Sequence, residues 1–200
     1  GTLLDICSGT YPFVTSSHTT VSAIGLSTGV LPGMLTDIVG VSKAYCTRVG
    51  GGVFPTEIFG FLGEQIRERG KEYGATTGRP RRVGWLDLVL LRYAARINGF
   101  TALAITKIDV LNNLDTVRIA VAYKYGNRLL EFPPEDLSLL QRCEPIYEEF
   151  SGWSSPETFS LDSLPPNLVS YLEFIRKEVE NIPLYLLSFS PEASGTIALQ

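Results

Sequence analysis

Cysteine and histidine are the scarcest reactive side chains in this 200-residue chain, which has three cysteines (Cys7, Cys46 and Cys143) and one histidine, His18. The cysteines are odd in number, widely spaced and without a CxxC pair. That excludes a disulfide framework and a zinc finger and points to free thiols in a reducing compartment. His18 has no second histidine or cysteine beside it in sequence, so it reads as neither a metal ligand nor an acid–base residue. Positive charge is also limited. Seventeen Lys and Arg against 21 Asp and Glu give a net charge of −4 and a pI near 5.1, so there is no general basic field to draw nucleic acid. No apolar run reaches bilayer length and no secretory leader is visible, so the expectation is a soluble, cytoplasmic protein. Internal repeats, low-complexity tracts and long linkers are absent. So are the GxxxxGK[ST] phosphate loop, a nucleophile with its base, and a pair of metal-grade carboxylates. No catalytic residue and no metal ligand is assigned.

What is present is globular: 44% hydrophobic and 19% charged residues with a mean hydropathy of +0.14, enough for one domain over residues 1–200. The opening "GTLLDICSG" lacks an initiator Met and a polar leader and starts on a strand-like apolar run. It is read as a chain entered in mid-motif, truncated on its amino-terminal side. Leu35, Ile38, Val39 and Ser42–Ala44 are read as a helical face. Glu57 to Arg69, stopped by Gly70, and Trp85 to Ile97, ended by Asn98–Gly99, are read as two further helices. "ALAIT" (102–106) has the continuous apolar character of a strand covered on both faces. Val117–Tyr123, Gly126–Asn127 and Leu129–Phe132 give a β-hairpin, Pro165–Pro166 open a last helix, and Pro183–Ser190 return as a strand. The alternation predicts an α/β fold: a largely parallel sheet with flanking helices and a hairpin appendage.

Five stretches could carry chemistry. In "ATTGRPRR" (75–82), Thr76, Thr77 and Gly78 offer hydroxyls and amides, while Arg79 and Arg81, separated by a rigid proline, can each present a bidentate fork to an anion. A solvated basic loop is the alternative. "TKID" (106–109) follows the buried strand at the end where α/β sheets take ligands. There Asp109 could accept from the ring N–H and amine of guanine while the stem of Lys107 covers the purine; a surface ion pair is the alternative. "YPFVTSSHTT" (11–20) clusters hydroxyls behind an apolar strand, suited to phosphate oxygens or to capping. "TRVGGGVFPTE" (47–57) allows close backbone approach or is a connector, and "SFSPEAS" (188–194) lines a base pocket or merely ends the sheet.

Taken in order, "GTLLDI", "GTYPFVTSS", "KAYCTRVGGGVFPTE", "GATTGRPRRVGWLDLV", "NGFTALAITKIDVL", "EPIYEEFSGW" and "LPPNLVSYLEFI" resemble the adenylosuccinate synthetase family over essentially the whole chain. The resemblance implies the carboxyl-terminal part of that P-loop-like fold. It also implies a ligase that joins IMP to L-aspartate at the expense of GTP, with Mg²⁺, in a cytoplasmic homodimer. By the same resemblance Thr15 contacts the IMP phosphate. Ala75, Thr76, Thr77, Gly78 and Arg79 form a loop closing on aspartate, with Arg79 also touching IMP. Arg81 lies near the GTP phosphates and the aspartate carboxylate, and Val49 with the following glycines walls the aspartate pocket. Lys107, Ile108 and Asp109 read guanine, with Ser188 and Ser190 at its border.

Three departures from the family pattern stand out. His18 replaces a common asparagine, the paired glycines after "TT" are missing, and "SFSP" replaces a glycine-containing strand end. The family's phosphate loop, catalytic Asp and His, and Mg²⁺ site fall in a segment upstream of these residues. The 200-residue piece alone is therefore expected to be inactive. The alternatives are a non-catalytic guanine-nucleotide or dicarboxylate binding module, or a scaffold that self-associates through a sheet edge.

Overall fold

The computed structural model describes residues 1–74, 78–156 and 158–199. Its helices are α1 (Ser22–Thr28), α2 (Gly60–Gly70), α3 (Leu88–Asn98), α4 (Leu137–Leu140) and α5 (Pro166–Glu178). Its strands are β1 (Val39–Lys43), β2 (Cys46–Arg48), β3 (Arg82–Gly84), β4 (Leu86–Asp87), β5 (Ala102–Thr106), β6 (Thr116–Tyr125), β7 (Arg128–Leu130), β8 (Glu144–Ser151), β9 (Leu184–Ser188) and β10 (Thr196–Ala198).

One sheet runs β1-β5-β9-β10. β5 is parallel to both β1 and β9, and β10 closes the edge antiparallel to β9. The apolar run "ALAIT" is thus the inner strand its composition called for, with Leu103, Ala104 and Ile105 buried. A second sheet centres on β6, parallel to β4 and antiparallel to β7 and β8. β2 and β3 form a short antiparallel ribbon. The core between these layers holds Leu86, Leu88, Leu103, Ile105, Ile108, Ile119, Leu168, Tyr171 and Ile175.

Several expectations change. The helix read over Leu35–Ala44 is instead the edge strand β1, in register from Val39↔Ala102 to Lys43↔Thr106. The close approach of the chains decides it, because a Cβ on Gly40 would collide with the Phe100 ring. The helix expected from Trp85 starts at Leu88, after β4, where the Asp87 side chain accepts from Leu90 N at 3.2 Å and caps it. The helix expected from Glu57 starts at Gly60. The strand-like opening is a 3-10 turn over Thr2–Leu4, and residues 11–14 form turns rather than a strand. The first hairpin strand is longer than expected and the second ends earlier, at Leu130, and β6 also pairs with an unforeseen third strand, β8. The last helix, opened at Pro166, and the hairpin turn at Gly126 stand as the sequence indicated.

Candidate functional site

The carboxyl ends of β1, β5 and β9 lie side by side. Lys43 pairs with Thr106 and Ile105 with Leu187, so Lys43, Thr106, Lys107 and Ser188 leave one edge of the sheet together. Lys107 turns the chain through a left-handed conformation (φ 56°) into the 3-10 turn Ile108–Leu111. Asp109 stands in that turn, half-buried, while Ile108 is buried. Burial raises the Asp109 carboxyl above its ordinary value, opposed by the nearby Lys107 charge.

The ribbon supplies the other half. Arg48 pairs with Arg82, so Val49 leaves the ribbon on the side from which Arg81 enters it. The glycines after Val49 are needed at close quarters: a Cβ on Gly52 would meet Arg48 and Phe13, and one on Gly51 would sit 3.2 Å from the Phe13 ring. Arg48, buried, donates from Nε to Gly51 O (2.9 Å) and from Nη2 to Thr10 Oγ1 (3.0 Å) and Phe13 O (3.1 Å). It staples the 10–13 segment to the glycine loop. Thr15, half-buried, follows two residues later with its amide bonded to Leu4 O at 2.8 Å.

The three arginines of "GRPRR" have separate fates. Arg82 pairs with Glu57 and donates to Gly52 O at 2.8 Å, which makes it a structural tie of the glycine loop. Arg79 is exposed; Gly74 N donates to Arg79 O (2.8 Å) and Gly78 N to Gly74 O (2.9 Å). Ala75, Thr76 and Thr77, expected to contact aspartate, lie outside the described residues. Arg81 donates from Nη1 to Glu72 Oε2 at 2.8 Å, and its Nε is buried with no hydrogen-bond partner among the described residues.

Glu72, which sequence reasoning missed, joins the two halves. Its side chain is fully buried. Oε1 accepts from Lys43 Nζ and from the Tyr45 hydroxyl, each at 2.6 Å, and lies 3.5 Å from Lys107 Nζ. Burial alone would raise the carboxyl, but the bonds from Lys43, Tyr45 and Arg81 prevail and hold it at about 2. Tyr45 is pushed far up by burial and by Glu72. Lys107 Nζ also donates to Gly70 O, a cation at the carboxyl end of α2. Gly70 makes room for the Tyr45 hydroxyl, which a Cβ at this position would crowd.

Two candidates find local employment. Ser188 Oγ donates to Ser190 O at 3.0 Å, and Ser190 Oγ accepts from Glu192 N at 3.2 Å, closing the turn before β10. His18 does gain a sulfur neighbour that sequence spacing hid, since Asp5, Cys7 and His18 place ligand-type atoms within 4.8 Å of one another. The Asp5 oxygens are already taken by the amides of Cys7 and Ser8 (2.9 Å each) and Thr19 (2.6 Å), so no metal is assigned there. A thiol and an imidazole are also poor donors for a hard cation such as Mg²⁺. That cluster therefore does not fit Mg²⁺. A cavity of about 710 Å³ under residues 1–4 and 18–24 is lined by Lys43, Arg48 and Asp87 among mainly apolar neighbours, but by none of the expected ligand residues. The site is assigned to the sheet edge, where charge converges. Among the described residues no helix is long and apolar enough to cross a membrane.

These pieces define an α/β protein that gathers cations at the carboxyl edge of a parallel sheet, the place where such folds take anionic ligands. The sequence profile of adenylosuccinate synthetase matches residues 1–197. The chain belongs to the adenylosuccinate synthetase family. It is 54% identical over 182 residues to the adenylosuccinate synthetase of Thermodesulfovibrio yellowstonii, covering 90% of this chain and 43% of that protein. It is 50% identical over 198 residues to that of Bacillus licheniformis, covering 98% and 46% respectively. The structure of a fully ligated adenylosuccinate synthetase from Plasmodium falciparum superposes with a TM-score of 0.95 at 38% identity, over 100% of this chain and 48% of that one. A cyanophage S-2L succinoaminodeoxyadenylate synthetase shares the fold alone, at TM-score 0.56 and 16% identity over 99% of this chain and 44% of that one. The chain spans somewhat under half the length of these relatives.

Proposed function

We propose that this chain is the carboxyl-terminal, substrate-recognising part of a GTP-dependent ligase that joins IMP to L-aspartate to give adenylosuccinate. In that reaction GTP phosphorylates the 6-oxygen of IMP, and the amine of aspartate displaces the phosphate. The observation that carries the reading is the convergence of Arg81 and Lys107 on one buried carboxylate at the sheet's carboxyl edge. It puts an anion-binding fork and a purine-covering stem within one cluster. Asp109, with Ile108 beside it, accepts from guanine, with Ser188 and Ser190 at the border of the base. Arg81 serves the GTP phosphates and the amino-acid carboxylate, and Val49 with residues 75–79 encloses aspartate. Thr15 and Arg79 meet IMP. Arginine stays protonated near neutral pH, so neither Arg79 nor Arg81 is a base. Deprotonation of IMP and the Mg²⁺ chemistry of phosphoryl transfer therefore fall to residues outside this chain. The full-length protein would be a cytoplasmic homodimer.

The test is a coupled assay on the full-length protein. GTP-, IMP- and aspartate-dependent release of GDP is expected, with none from residues 1–200 alone. Turnover by the isolated 200 residues would refute the division of labour. Asp109→Asn is expected to erode the preference for GTP over ATP at least tenfold, since loss of a charged acceptor is worth about 1.5–3 kcal/mol. An unchanged preference would remove Asp109 from guanine recognition.

A further inference from the structure

We infer that Glu72 is a positioning residue shared by both halves of the site: its carboxylate fixes Arg81 relative to Lys107 and so joins recognition of the guanine nucleotide to recognition of the amino acid. The inference rests on the proposed ligase reading. Its two oxygens are divided between the halves. Oε1 faces Lys43 and Lys107 at the end of the parallel strands, and Oε2 faces Arg81 at the ribbon. The main chain repeats the link, with Arg81 N donating to Glu72 O at 2.8 Å and Glu72 N donating to Arg67 O at 2.9 Å. Glu72 therefore grips the loop at its base while its own backbone is tied to the end of α2.

Charge balance explains why such a residue would serve binding. Three cations face one carboxylate, so the cluster keeps a positive excess for an incoming phosphate or carboxylate. Arg81 Nη1 is occupied and its Nε is buried without a partner among the described residues, so the guanidinium is aimed by Glu72. Without the glutamate, Lys43, Arg81 and Lys107 would repel one another. Their side chains are 24%, 29% and 39% exposed, so each has a route to water. Losing Glu72 is thus expected to disperse the cations before it unfolds the chain. A purely structural glutamate would affect stability without favouring particular substrates.

The experiment measures the three Michaelis constants of the full-length enzyme carrying Glu72→Gln or Tyr45→Phe. Glu72→Gln is expected to raise KM for GTP and for aspartate by about tenfold each, the scale of a lost charge-assisted hydrogen bond, with the KM for IMP unchanged. Tyr45→Phe removes one bond to Oε1 and no charge. It is expected to move the same two constants in the same direction by about two- to threefold. If Glu72→Gln does not fold, Tyr45→Phe decides alone. Wild-type values of the GTP and aspartate constants in a folded Glu72→Gln enzyme, or failing that in Tyr45→Phe, would overturn the inference. So would an equal rise in all three constants. Absence of ligase activity in the unmodified enzyme would instead refute the reading on which it rests.

Discussion

Asp5 and Glu72 are both fully buried, and both carboxyls are held at about 2, yet they are satisfied in opposite ways. Asp5 is served chiefly by main-chain amides, those of Ser8 and Thr19 foremost and Cys7 after them, and these outweigh its burial. Glu72 is served by the side chains of Lys43, Tyr45, Arg81 and Lys107. The amides cannot be repurposed, so Asp5 fixes the path of the amino-terminal segment. The cations can exchange partners, so Glu72 holds charge in readiness for a ligand. Asp87 is a third case. Buried, and among the described residues with only the Tyr123 hydroxyl (2.5 Å) and backbone amides as donors, it is driven by burial up to about 7. Equal burial therefore gives unequal acidity, and the donors decide.

The comparison breaks most directly at Asp5. Asp5→Ala strands the amides of Cys7, Ser8 and Thr19, and is expected to cost about 3 kcal/mol of unfolding free energy, read by chemical denaturation. If Asp5→Ala instead selectively raised the KM for GTP while stability held, the contrast with Glu72 would fail.

A pH series sharpens it. The folded pKa of Asp5 and Glu72 lies below the ordinary 3.8 and 4.5, so their stabilisation is complete at neutral pH and is lost as pH falls from about 4.5 to about 2. Asp87 has the opposite sign. Its folded pKa is raised from 3.8 to about 7, so stability falls as pH climbs through that interval. Asp87→Asn is expected to remove this decline, leaving the variant roughly 2–4 kcal/mol better placed above pH 7, relative to wild type, than at pH 4. A decline unchanged in Asp87→Asn would assign it elsewhere.

The smallest effect belongs to His18, whose Nδ1 lies 3.7 Å from Asp5 Oδ2 with the side chain 43% exposed. His18→Ala is expected to shift stability by less than about 0.5 kcal/mol. A loss approaching that of Asp5→Ala would mean that a cation, rather than the backbone, governs Asp5.

Much of the fold could be read from local pattern. The apolar run 102–106, the Gly126 hairpin turn and the Pro166 helix start each carry a self-sufficient signal. β1 did not, because an edge strand with Gly40 beneath an aromatic ring and partly exposed valines has no clear period. β8 was hidden by its three glutamates and by the exposed Ile146, although inward and outward positions do alternate along "EPIYE". The motifs drew attention to Arg81, Lys107 and Asp109 because each stands in a short local pattern, beside a rigid proline or just past an apolar strand. Glu72 was invisible, since its partners lie 9 to 35 residues away in sequence. An aspartate set inside the apolar "LLDI" was the one available sign of Asp5.

The contact between Tyr45 and Gly70 limits how this region can drift over evolutionary time. Any larger residue at 70 demands a shorter one at 45, and the shorter residue forfeits its hydroxyl bond to Glu72. The hydroxyl at 45 can be given up alone at the modest cost expected of Tyr45→Phe, but position 70 cannot enlarge while it remains, so in descendants of this sequence a change at 45 should precede or accompany one at 70.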